Sequence, residues 1–364
     1  MVDTMLSDAD YIARALRLAE RGRGRTSPNP MVGAVVVSRQ GVIVGQGYHE
    51  QAGQPHAEVH ALDAAAERAR GATLYCTLEP CSHVERTAPC VERIVLAGVA
   101  RVVASIQDPT PSVSGRGFEY LRAHGVRVDV GEGADQAARL NRHFFTFIRE
   151  RRPFVIMKAA VSLDHQVAAA PGMRTAISSE VALRHVQEVR AEIDAIGVGS
   201  NTVLIDDPQL TARGVSRSRP LTRVVFDRRL RIPPGARVFS TLEQGPVIIM
   251  STRGALTDWP DRAAALKRSG ATVVAVDQPD LASALTSLAA LAVTSLILEG
   301  GPTLHAAAWT AGLVDCVHLY VAPIHLGRDG VPWLPDDPLA GLVDTCVRSF
   351  GRDVFTEGYV HRTY

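Results

Sequence analysis

The sequence predicts a two-domain α/β protein, and three observations support this fold class. A chain of 364 residues is too long for one ordinary core. Strand-like apolar runs alternate with helical patterns along the whole chain, which is typical of layered α/β domains. A charged stretch, Arg149 to Pro153, interrupts this alternation and is the best candidate linker. We therefore expect one domain at residues 1–150 and a second at residues 151–364.

The first domain is predicted to begin with a helix that Ser7 caps and to end near Ile148. The apolar face of this helix is expected to comprise Tyr11, Ile12, Ala15, Leu16 and Ala19. Strands are predicted at 31–37, 42–47, 72–78 and 101–106, and helices at 55–70 and 91–97, followed by a helix, a strand and a helix. In the second domain, the clearest strands are predicted at 154–161, 295–298, 317–322 and 354–361.

Composition and charge narrow the class of protein. The chain is 46% hydrophobic and 21% charged, as in soluble globular proteins, and its net charge of +1 provides no general attraction to nucleic acid or membranes. Five cysteines, an odd number, argue against a disulfide framework. We find neither a signal-peptide pattern nor a run of about 18 apolar residues, so the protein is expected to be cytoplasmic.

A His/Cys/Cys constellation predicts a catalytic zinc site in the first domain. His56 and Glu58 begin one predicted helix, whereas Cys81 and Cys90 follow the strand at 72–78. A zinc hydrolase needs three protein ligands, an open position for water and a nearby acid/base that is not a ligand. His56, Cys81 and Cys90 supply the three ligands, and Glu58 is placed to move protons.

Two other interpretations of these residues are weaker. In the first, His56 is a surface residue and the cysteines fill the core. The H-x-E motif at His56 and the P-C motif at Cys81 would then both follow strands at helix starts only by chance. In the second, the zinc is structural, but such sites close with four ligands, and Cys76 is expected to pack within its strand. Eight residues separate Cys81 from Cys90, which differs from the usual P-C-x-x-C spacing of zinc deaminases and predicts a loop over the site.

The segment Thr77 to His83, with Arg86-Thr87 and Pro89-Cys90, resembles the deaminase half of the bifunctional riboflavin-biosynthesis deaminase–reductases. Further segments fit the same family in order and spacing: Pro28-Asn29-Pro30, Val32-Gly33, Gly47-Tyr48-His49, Pro55 to Glu58 and Gln107-Asp108-Pro109. The resemblance implies a cytidine-deaminase-like three-layer domain. It also implies hydrolysis of the 2-amino group of 2,5-diamino-6-ribosylamino-4(3H)-pyrimidinone 5′-phosphate. The implied base and phosphate contacts are Asn29, His49, His83, Arg86 and Asp108.

A Gly-rich turn, Glu299 to Pro302, follows a buried strand in the second domain. By itself this is a weak phosphate-binding signal, and it lacks the G-x-G-x-x-G pattern of dinucleotide-binding Rossmann folds. With its companions it resembles the reductase half of the same family, which implies a dihydrofolate-reductase-like fold, NADPH, and reduction of the ribosyl group to a ribityl group. The implied substrate contacts are Lys158, Arg190, Leu210, Arg213 and Glu299. The implied cofactor contacts are Ala160, Thr202, Asp206, Gly301, Pro302 and Thr303, and Asp206 matches a position proposed to assist proton transfer.

Several departures from the family's pattern cluster near the expected nicotinamide position. His165 and Gln166 replace a glycine and a basic residue, and the stretch with Arg174 and Ala176 lacks the usual serine and tryptophan. A histidine at a former glycine adds a side chain where the backbone needs a positive φ or a close approach to a ligand. These departures predict a reductase that is slower than the deaminase.

Three alternatives to a fully bifunctional enzyme follow. The first keeps the deaminase and makes the second domain weak or inert, in the riboflavin pathway or a related specialised one. The second is a deaminase of nucleic acid such as tRNA, which the near-neutral charge disfavours. The third, a non-enzymatic zinc module, leaves Glu58 unexplained. We expect a small-molecule pyrimidine nucleotide as substrate, no nucleic-acid or membrane partner, and a homodimer or homotetramer.

Overall fold

The computed structural model describes residues 6–82, 89–335 and 337–362. The chain divides into two compact units, one that runs to Glu150 and one that spans Arg151–Arg362. Each unit has its own sheet and its own hydrophobic core. Within the described residues, no helix is both long enough and apolar enough to span a bilayer.

The described part of the first unit contains six α-helices and five strands. In chain order they are α1 Asp8–Glu20, β1 Gly33–Val37, β2 Ile43–Tyr48, α2 Ala57–Ala65, β3 Thr73–Cys76, α3 Cys90–Leu96, β4 Arg101–Ala104, α4 Arg116–Ala123, β5 Arg127–Val130, α5 Ala134–Leu140 and α6 Arg142–Glu150. The sheet order is β2-β1-β3-β4-β5, with β1 antiparallel to both neighbours and β3, β4 and β5 parallel.

Alternate residues of β1 face the two helical layers. Val35 and Val37 pack with α1, whereas Ala34 and Val36 pack with α2. Such alternation is what a central strand shows when both faces of its sheet are covered. The three-layer, cytidine-deaminase-like arrangement predicted for this unit is therefore confirmed.

One predicted helix agrees with the structure and one is shorter than predicted. In α1 the capping box at Ser7 forms and the predicted apolar face packs on the core, with Leu16 partly buried and Leu18 buried as well. The predicted helix at 55–70 begins at Ala57 and ends at Ala65, because Ala66 adopts a φ of 52° and a 3₁₀ turn follows. A left-handed residue breaks the run of helical hydrogen bonds, and alanine-rich composition gives no sign of it.

Glycines on β2 allow α2 to lie directly on the sheet. A Cβ at Gly45 would be 2.1 Å from the carbonyl oxygen of Ala61, and one at Gly47 would be 2.4 Å from the Cβ of His60. Neither contact is sterically possible for a larger residue. This close packing fixes the start of α2, where His56 and Glu58 lie.

The described part of the second unit contains six α-helices and eleven strands. In chain order they are β6 Phe154–Val161, β7 Gln166–Ala168, α7 Glu180–Glu192, β8 Ala195–Gly199, α8 Ser200–Asp206, β9 Thr222–Phe226, β10 Val247–Thr252, α9 Arg253–Asp258, α10 Pro260–Arg268, β11 Ala271–Val276, α11 Leu281–Ala290, β12 Ser295–Glu299, α12 Pro302–Thr310, β13 Cys316–Val321, β14 Val331–Pro332, β15 Val343–Phe350 and β16 Asp353–Tyr359.

The main sheet of this unit has nine strands in the order β11-β10-β9-β8-β12-β6-β13-β16-β15. Neighbouring strands from β11 to β13 are parallel to one another. Strand β16 is antiparallel to both of its neighbours, β13 and β15. A separate two-stranded sheet pairs β7 with β14. Because the carboxyl ends of parallel strands share one edge, the loops after β6, β8, β9 and β12 meet there.

Candidate active sites

The three predicted ligand residues of the first unit converge on one point. The Nδ1 atom of His56 lies 3.5 Å from the Sγ of Cys81 and 3.4 Å from the Sγ of Cys90. The donor atoms of these three residues lie within 4.8 Å of one another. His56 is the residue immediately before α2 and Cys90 begins α3, so two helix starts bring the ligands together. Cys76 is fully buried in the core and points elsewhere, with its Sγ near the carbonyl of Val103.

Glu58 occupies the first turn of α2 and is buried. Burial raises the pKa of Glu58 to about 7, so its carboxyl group can both release and bind a proton near neutrality. The hydrogen bond between the two thiols, helped by His56, lowers the pKa of Cys81 and raises that of Cys90. The cluster therefore favours a thiolate at Cys81 beside a protonatable carboxyl group.

Two predicted base-binding residues lie next to this cluster. The His49 ring meets the His56 ring edge to face at 5.3 Å. His49 is 3.2 Å from the carbonyl oxygen of Pro55 through Nδ1 and 3.3 Å from the Nδ2 of Asn29 through Nε2. The carbonyl can only accept, so Nδ1 carries the proton and Nε2 accepts from Asn29. Burial lowers the pKa of His49, which agrees with a neutral ring.

Glu79 is a buried residue to which the sequence interpretation assigned no role. Its carboxylate accepts backbone hydrogen bonds from Gly117 at 2.9 Å, from Gly115 at 2.9 Å and from Asp108 at 3.2 Å. It thereby holds the loop between β4 and α4, which carries Asp108. The sequence offered one sign of this role, an acidic residue two positions before Cys81. Only the fold shows which backbone amides the Glu79 carboxylate binds.

Asp108 itself is nearly buried, and its Oδ1 accepts a hydrogen bond from the Thr110 backbone at 2.7 Å. The carboxylate thus shapes its own turn. The predicted phosphate-loop residues His83 and Arg86 lie outside the described residues.

The predicted reductase residues line one large pocket of about 1350 Å³ at the carboxyl edge of the second unit's parallel strands. This volume exceeds the roughly 300–1,000 Å³ of a typical single-ligand site, so it can hold two ligands at once. The pocket brings together the predicted substrate and cofactor residues, which are Lys158, Ala160, Arg190, Thr202, Asp206, Leu210, Arg213, Glu299, Gly301, Pro302 and Thr303.

Three charged residues that line this pocket contact one another. Arg190 donates two hydrogen bonds to the carboxylate of Glu299, each at 2.8 Å, and Lys158 Nζ lies 3.8 Å from the same carboxylate. Burial opposes charge on Glu299, but Arg190 and Lys158 overcome it and lower its pKa to about 2. Burial lowers the pKa of Lys158. The group therefore presents fixed charges and spare lysine donors to a polar ligand.

The turn after β12 leaves open space against α8. Gly300 has a φ of 140°, and a Cβ there would lie 2.9 Å from the Oγ1 of Thr202. A Cβ at Gly199 or Gly301 would meet no atom within 4 Å. Asp206, at the end of α8, has a pKa that burial raises. The glycines thus form a cradle that a ligand's phosphates can approach closely.

Two of the four unusual residues of this domain, Arg174 and Ala176, line the same pocket. The other two, His165 and Gln166, directly precede Val167 and Ala168, which also line it. His165 adopts a φ of 57°, which favours glycine. Gln166 begins β7, donates to the carbonyl of Asp164 at 3.1 Å and leaves its Oε1 without a hydrogen-bond partner. The departures therefore lie in the turn after β6, at the start of β7 and in the wall of the pocket.

Comparisons with known proteins identify both units. Residues 5–106 match the family model described as the cytidine and deoxycytidylate deaminase zinc-binding region, and residues 153–356 match that of the RibD C-terminal domain. The chain is 41% identical over 321 residues to the riboflavin biosynthesis protein RibD of Aquifex aeolicus, with 88% of each chain covered. It is 42% identical over 339 residues to that of Escherichia coli, covering 89% of this chain and 90% of the relative.

Solved structures agree over nearly the full length. Acinetobacter baumannii RibD matches with a TM-score of 0.84 at 34% identity, covering 97% of this chain and 98% of the other. A diaminohydroxyphosphoribosylaminopyrimidine deaminase/5-amino-6-(5-phosphoribosylamino)uracil reductase from Thermotoga maritima matches with a TM-score of 0.81 at 32% identity and the same coverage. The chain therefore belongs to the RibD family of riboflavin-biosynthesis enzymes, with a zinc-binding deaminase domain followed by a reductase domain.

Proposed function

We propose that residues 1–150 hydrolyse the 2-amino group of 2,5-diamino-6-ribosylamino-4(3H)-pyrimidinone 5′-phosphate. Residues 151–364 then reduce the ribosyl side chain of the product to a ribityl chain with NADPH. The observation that carries the first step is the convergence of His56, Cys81 and Cys90 beside the buried Glu58. The name of the Thermotoga relative combines the same two activities.

The donor geometry suits zinc. A tetrahedral zinc ion with sulfur at about 2.3 Å and nitrogen at about 2.0 Å separates these ligand atoms by about 3.5 Å. The observed separations between His56 Nδ1 and the two sulfurs are 3.5 and 3.4 Å. Two thiols and one imidazole leave a fourth position open, as a catalytic site requires. When bound, zinc supplies a water activated for attack on the carbon that carries the amino group.

The protein residues bind the base and move the protons. Glu58 takes a proton from the attacking water and delivers it towards the departing amine, since its pKa lies near 7. Asn29 and His49, which are hydrogen-bonded to each other beside His56, orient the pyrimidine. Asp108 contributes to the same site, and His83 and Arg86, in the segment between the two cysteines, bind base and phosphate.

NADPH fits the pocket of the second domain. The cradle at Gly300 and Gly301, opposite Thr202, accommodates a pyrophosphate, and Ala160, Pro302 and Thr303 line the same path. When bound, NADPH supplies a hydride to the carbon of the opened sugar imine. Lys158, Arg190, Leu210, Arg213 and Glu299 hold the substrate. Asp206, whose pKa burial raises, is the group at this pocket that assists proton transfer.

Two alternatives have less support. A second domain without catalytic function does not account for the preserved cluster of Lys158, Arg190 and Glu299 at the pocket. A deaminase of tRNA requires a basic surface that interleaves aromatic residues, whereas this chain has a net charge of +1. A cytoplasmic location and a homodimer or homotetramer remain predictions, the latter to be tested by light scattering on the purified protein.

Zinc content and turnover test the metal site directly. Purified protein is expected to contain about one zinc per chain, as a three-ligand site implies. Cys81→Ala and Cys90→Ala should each lose most of the metal and the deaminase activity, whereas Cys346→Ala, an exposed cysteine of β15, should keep both. Full zinc occupancy in either of the first two variants would contradict the ligand assignment.

A further inference from the structure

Tyr320, on β13, lies behind the charged residues of the reductase pocket. Only 1% of Tyr320 is exposed, and it is not among the described residues that line the pocket. Its ring lies against Lys158, whose Nζ is 5.6 Å from the ring centroid. Strands β13 and β6 are parallel neighbours, and Tyr320 pairs with Ala160, two residues beyond Lys158 on the same face of the sheet. The lysine of the pocket therefore has an aromatic ring packed against its ammonium group.

The orientation of this ring is fixed by its neighbours. The Tyr320 hydroxyl lies 2.7 Å from the Nδ1 of His185 on α7, which is a hydrogen-bond distance. The Phe355 ring packs on Tyr320 with the centroids 4.7 Å apart, and His185 is itself stacked on Phe350 at 4.0 Å. Burial lowers the pKa of His185 to about 4 and raises that of Tyr320, so both groups are neutral near pH 7. Because His185 occupies the hydroxyl, the ring itself is the part of Tyr320 that meets Lys158.

Lys158 needs such a group, because its counter-ion is shared. The Glu299 carboxylate already accepts two hydrogen bonds from Arg190, and the Lys158 Nζ approaches it only to 3.8 Å, which is longer than a hydrogen bond. Burial lowers the pKa of Lys158, and the positive charge of Arg190 acts in the same direction. The other titratable groups near the ammonium are His318, its partner across β13, and the buried His305 of α12, and neither is an anion. The electron-rich face of an aromatic ring stabilises a cation in these surroundings.

We propose that Tyr320 is a positioning residue of the reductase, whose ring holds the Lys158 ammonium group beside Glu299 with N–H donors left for the substrate. The inference rests on the proposed reductase function of this pocket. An attraction of this kind, at a site removed from water, is worth about three- to thirtyfold in an equilibrium constant. Without the ring, Lys158 is free to leave this position or to lose its proton. Tyr320 thus acts on substrate binding through Lys158 and takes no part in the hydride step.

Steady-state kinetics of the full-length protein with the deaminated substrate and NADPH test this role. Tyr320→Leu removes the ring, whereas Tyr320→Phe keeps the ring and removes only the hydroxyl. Leucine should raise the KM for the deaminated substrate by about three- to thirtyfold and change kcat by less than about twofold, since the lost interaction is one of binding. Phenylalanine should keep KM within about twofold of the wild type. The matched control is Phe355→Leu, which removes the neighbouring ring one strand further from Lys158 and should leave KM unchanged.

Two further measurements separate this role from simple packing. The ring favours the charged form of Lys158, so in Tyr320→Leu the alkaline rise in KM should begin at a lower pH than in the wild type. A trifluorinated phenylalanine at position 320 keeps the shape of phenylalanine and weakens the negative potential of its face, so it should raise KM relative to Tyr320→Phe even if the leucine variant does not fold.

Three results would overturn the proposal. They are an equal rise in KM in Phe355→Leu, an equal KM for the plain and the fluorinated phenylalanine, and a loss in kcat alone. Wild-type protein that failed to reduce the deaminated substrate with NADPH would refute the proposed reductase function, and this inference with it. Normal wild-type turnover with an unchanged KM in Tyr320→Leu would refute the role of Tyr320 alone.

Discussion

His165 is the residue at which the sequence of this chain and its backbone conflict most clearly. Its φ of 57° places it in the left-handed region, and its side chain is exposed. The backbone is held there from both sides, since its N–H donates to Ser162 and its carbonyl accepts from the Trp333 N–H at 3.1 Å. The loop thus imposes a conformation that a residue with a Cβ adopts only at a cost.

Replacing His165 by glycine should therefore stabilise the protein. Relief of the left-handed strain, less the added flexibility of glycine in the unfolded chain, gives a gain of about 0.5–1 kcal/mol in the free energy of unfolding. Chemical denaturation, followed through the unfolding transition of the second unit, measures this gain in the free energy of unfolding. His165→Ala keeps the Cβ and should show no gain. A stabilisation by alanine equal to that by glycine would indicate that the histidine ring, and not the backbone, is the source of strain.

Glu58 permits a second test at the level of one side chain. Glu58→Gln keeps the shape of the residue and removes its ability to exchange a proton. Deamination should fall by at least the roughly 10²–10⁴-fold typical of a general acid–base group, since Glu58 takes part in more than one proton transfer. Zinc content, measured on the same preparation, should remain at the wild-type value. Near-normal turnover would mean that another group moves the proton.

Glu79 shows how one side chain organises an element of the first unit. Its carboxylate receives three backbone N–H donors from the segment between β4 and α4. The start of α4 also packs tightly against Glu79 and the residue that follows it. A Cβ at Gly117 would be 2.2 Å from the carbonyl oxygen of Pro80 and 3.0 Å from the Oε1 of Glu79. An acceptor with no N–H of its own is required at this point, and a carboxylate satisfies that requirement.

Glu79→Gln should therefore disturb the loop although the change is nearly isosteric. The amide nitrogen would face a backbone N–H, and we expect a loss of about 1–3 kcal/mol in the stability of the first unit. Because the loop carries Asp108, kcat/KM for deamination should fall while NADPH-dependent reduction of the deaminated substrate is unchanged. Glu92→Gln, an exposed glutamate on α3, is the matched control. Wild-type stability and deamination in Glu79→Gln would refute the anchoring role.

The strands of the second unit differ in how well their sequences predict them. The strand at 154–161 coincides with β6, because it is buried on both faces and reads as a continuous apolar run. Strand β15 has no such signal, since it forms the edge of the sheet and most of its side chains are exposed. The short pair of β7 and β14 depends on contact between distant segments. Strands β15, β7 and β14 each form because a partner strand supplies hydrogen bonds.

At the scale of the whole molecule, the two units have separate cores and separate sites. The group of His56, Cys81 and Cys90 belongs to the first unit, and the pocket with Lys158 and Glu299 belongs to the second. A domain with its own core can keep its structure when a ligand of the other is lost. The two activities should accordingly be separable.

Removal of zinc tests this separation. Dialysis against a chelator should abolish deamination, whereas reduction of the deaminated substrate by NADPH should stay within about twofold of its starting rate. Zinc readdition should restore deamination, which controls for unfolding. A parallel loss of both activities would show that the metal supports the second unit as well. The same assays also measure whether the reductase is the slower half, as the residues at 165, 166, 174 and 176 predict.

The sequence by itself determined the class of the fold and the family, and it singled out the residues that we propose as zinc ligands. Local patterns were sufficient for these, because burial periodicity marks strands and helices, and His56, Glu58, Cys81 and Cys90 lie in short motifs with fixed chemistry. Tertiary structure decided which distant groups meet, such as the backbone amides on Glu79 and the pairing of Arg190 with Glu299. Such contacts depend on strand order and loop geometry, which are set by packing across the whole domain and leave no periodic signal in the chain.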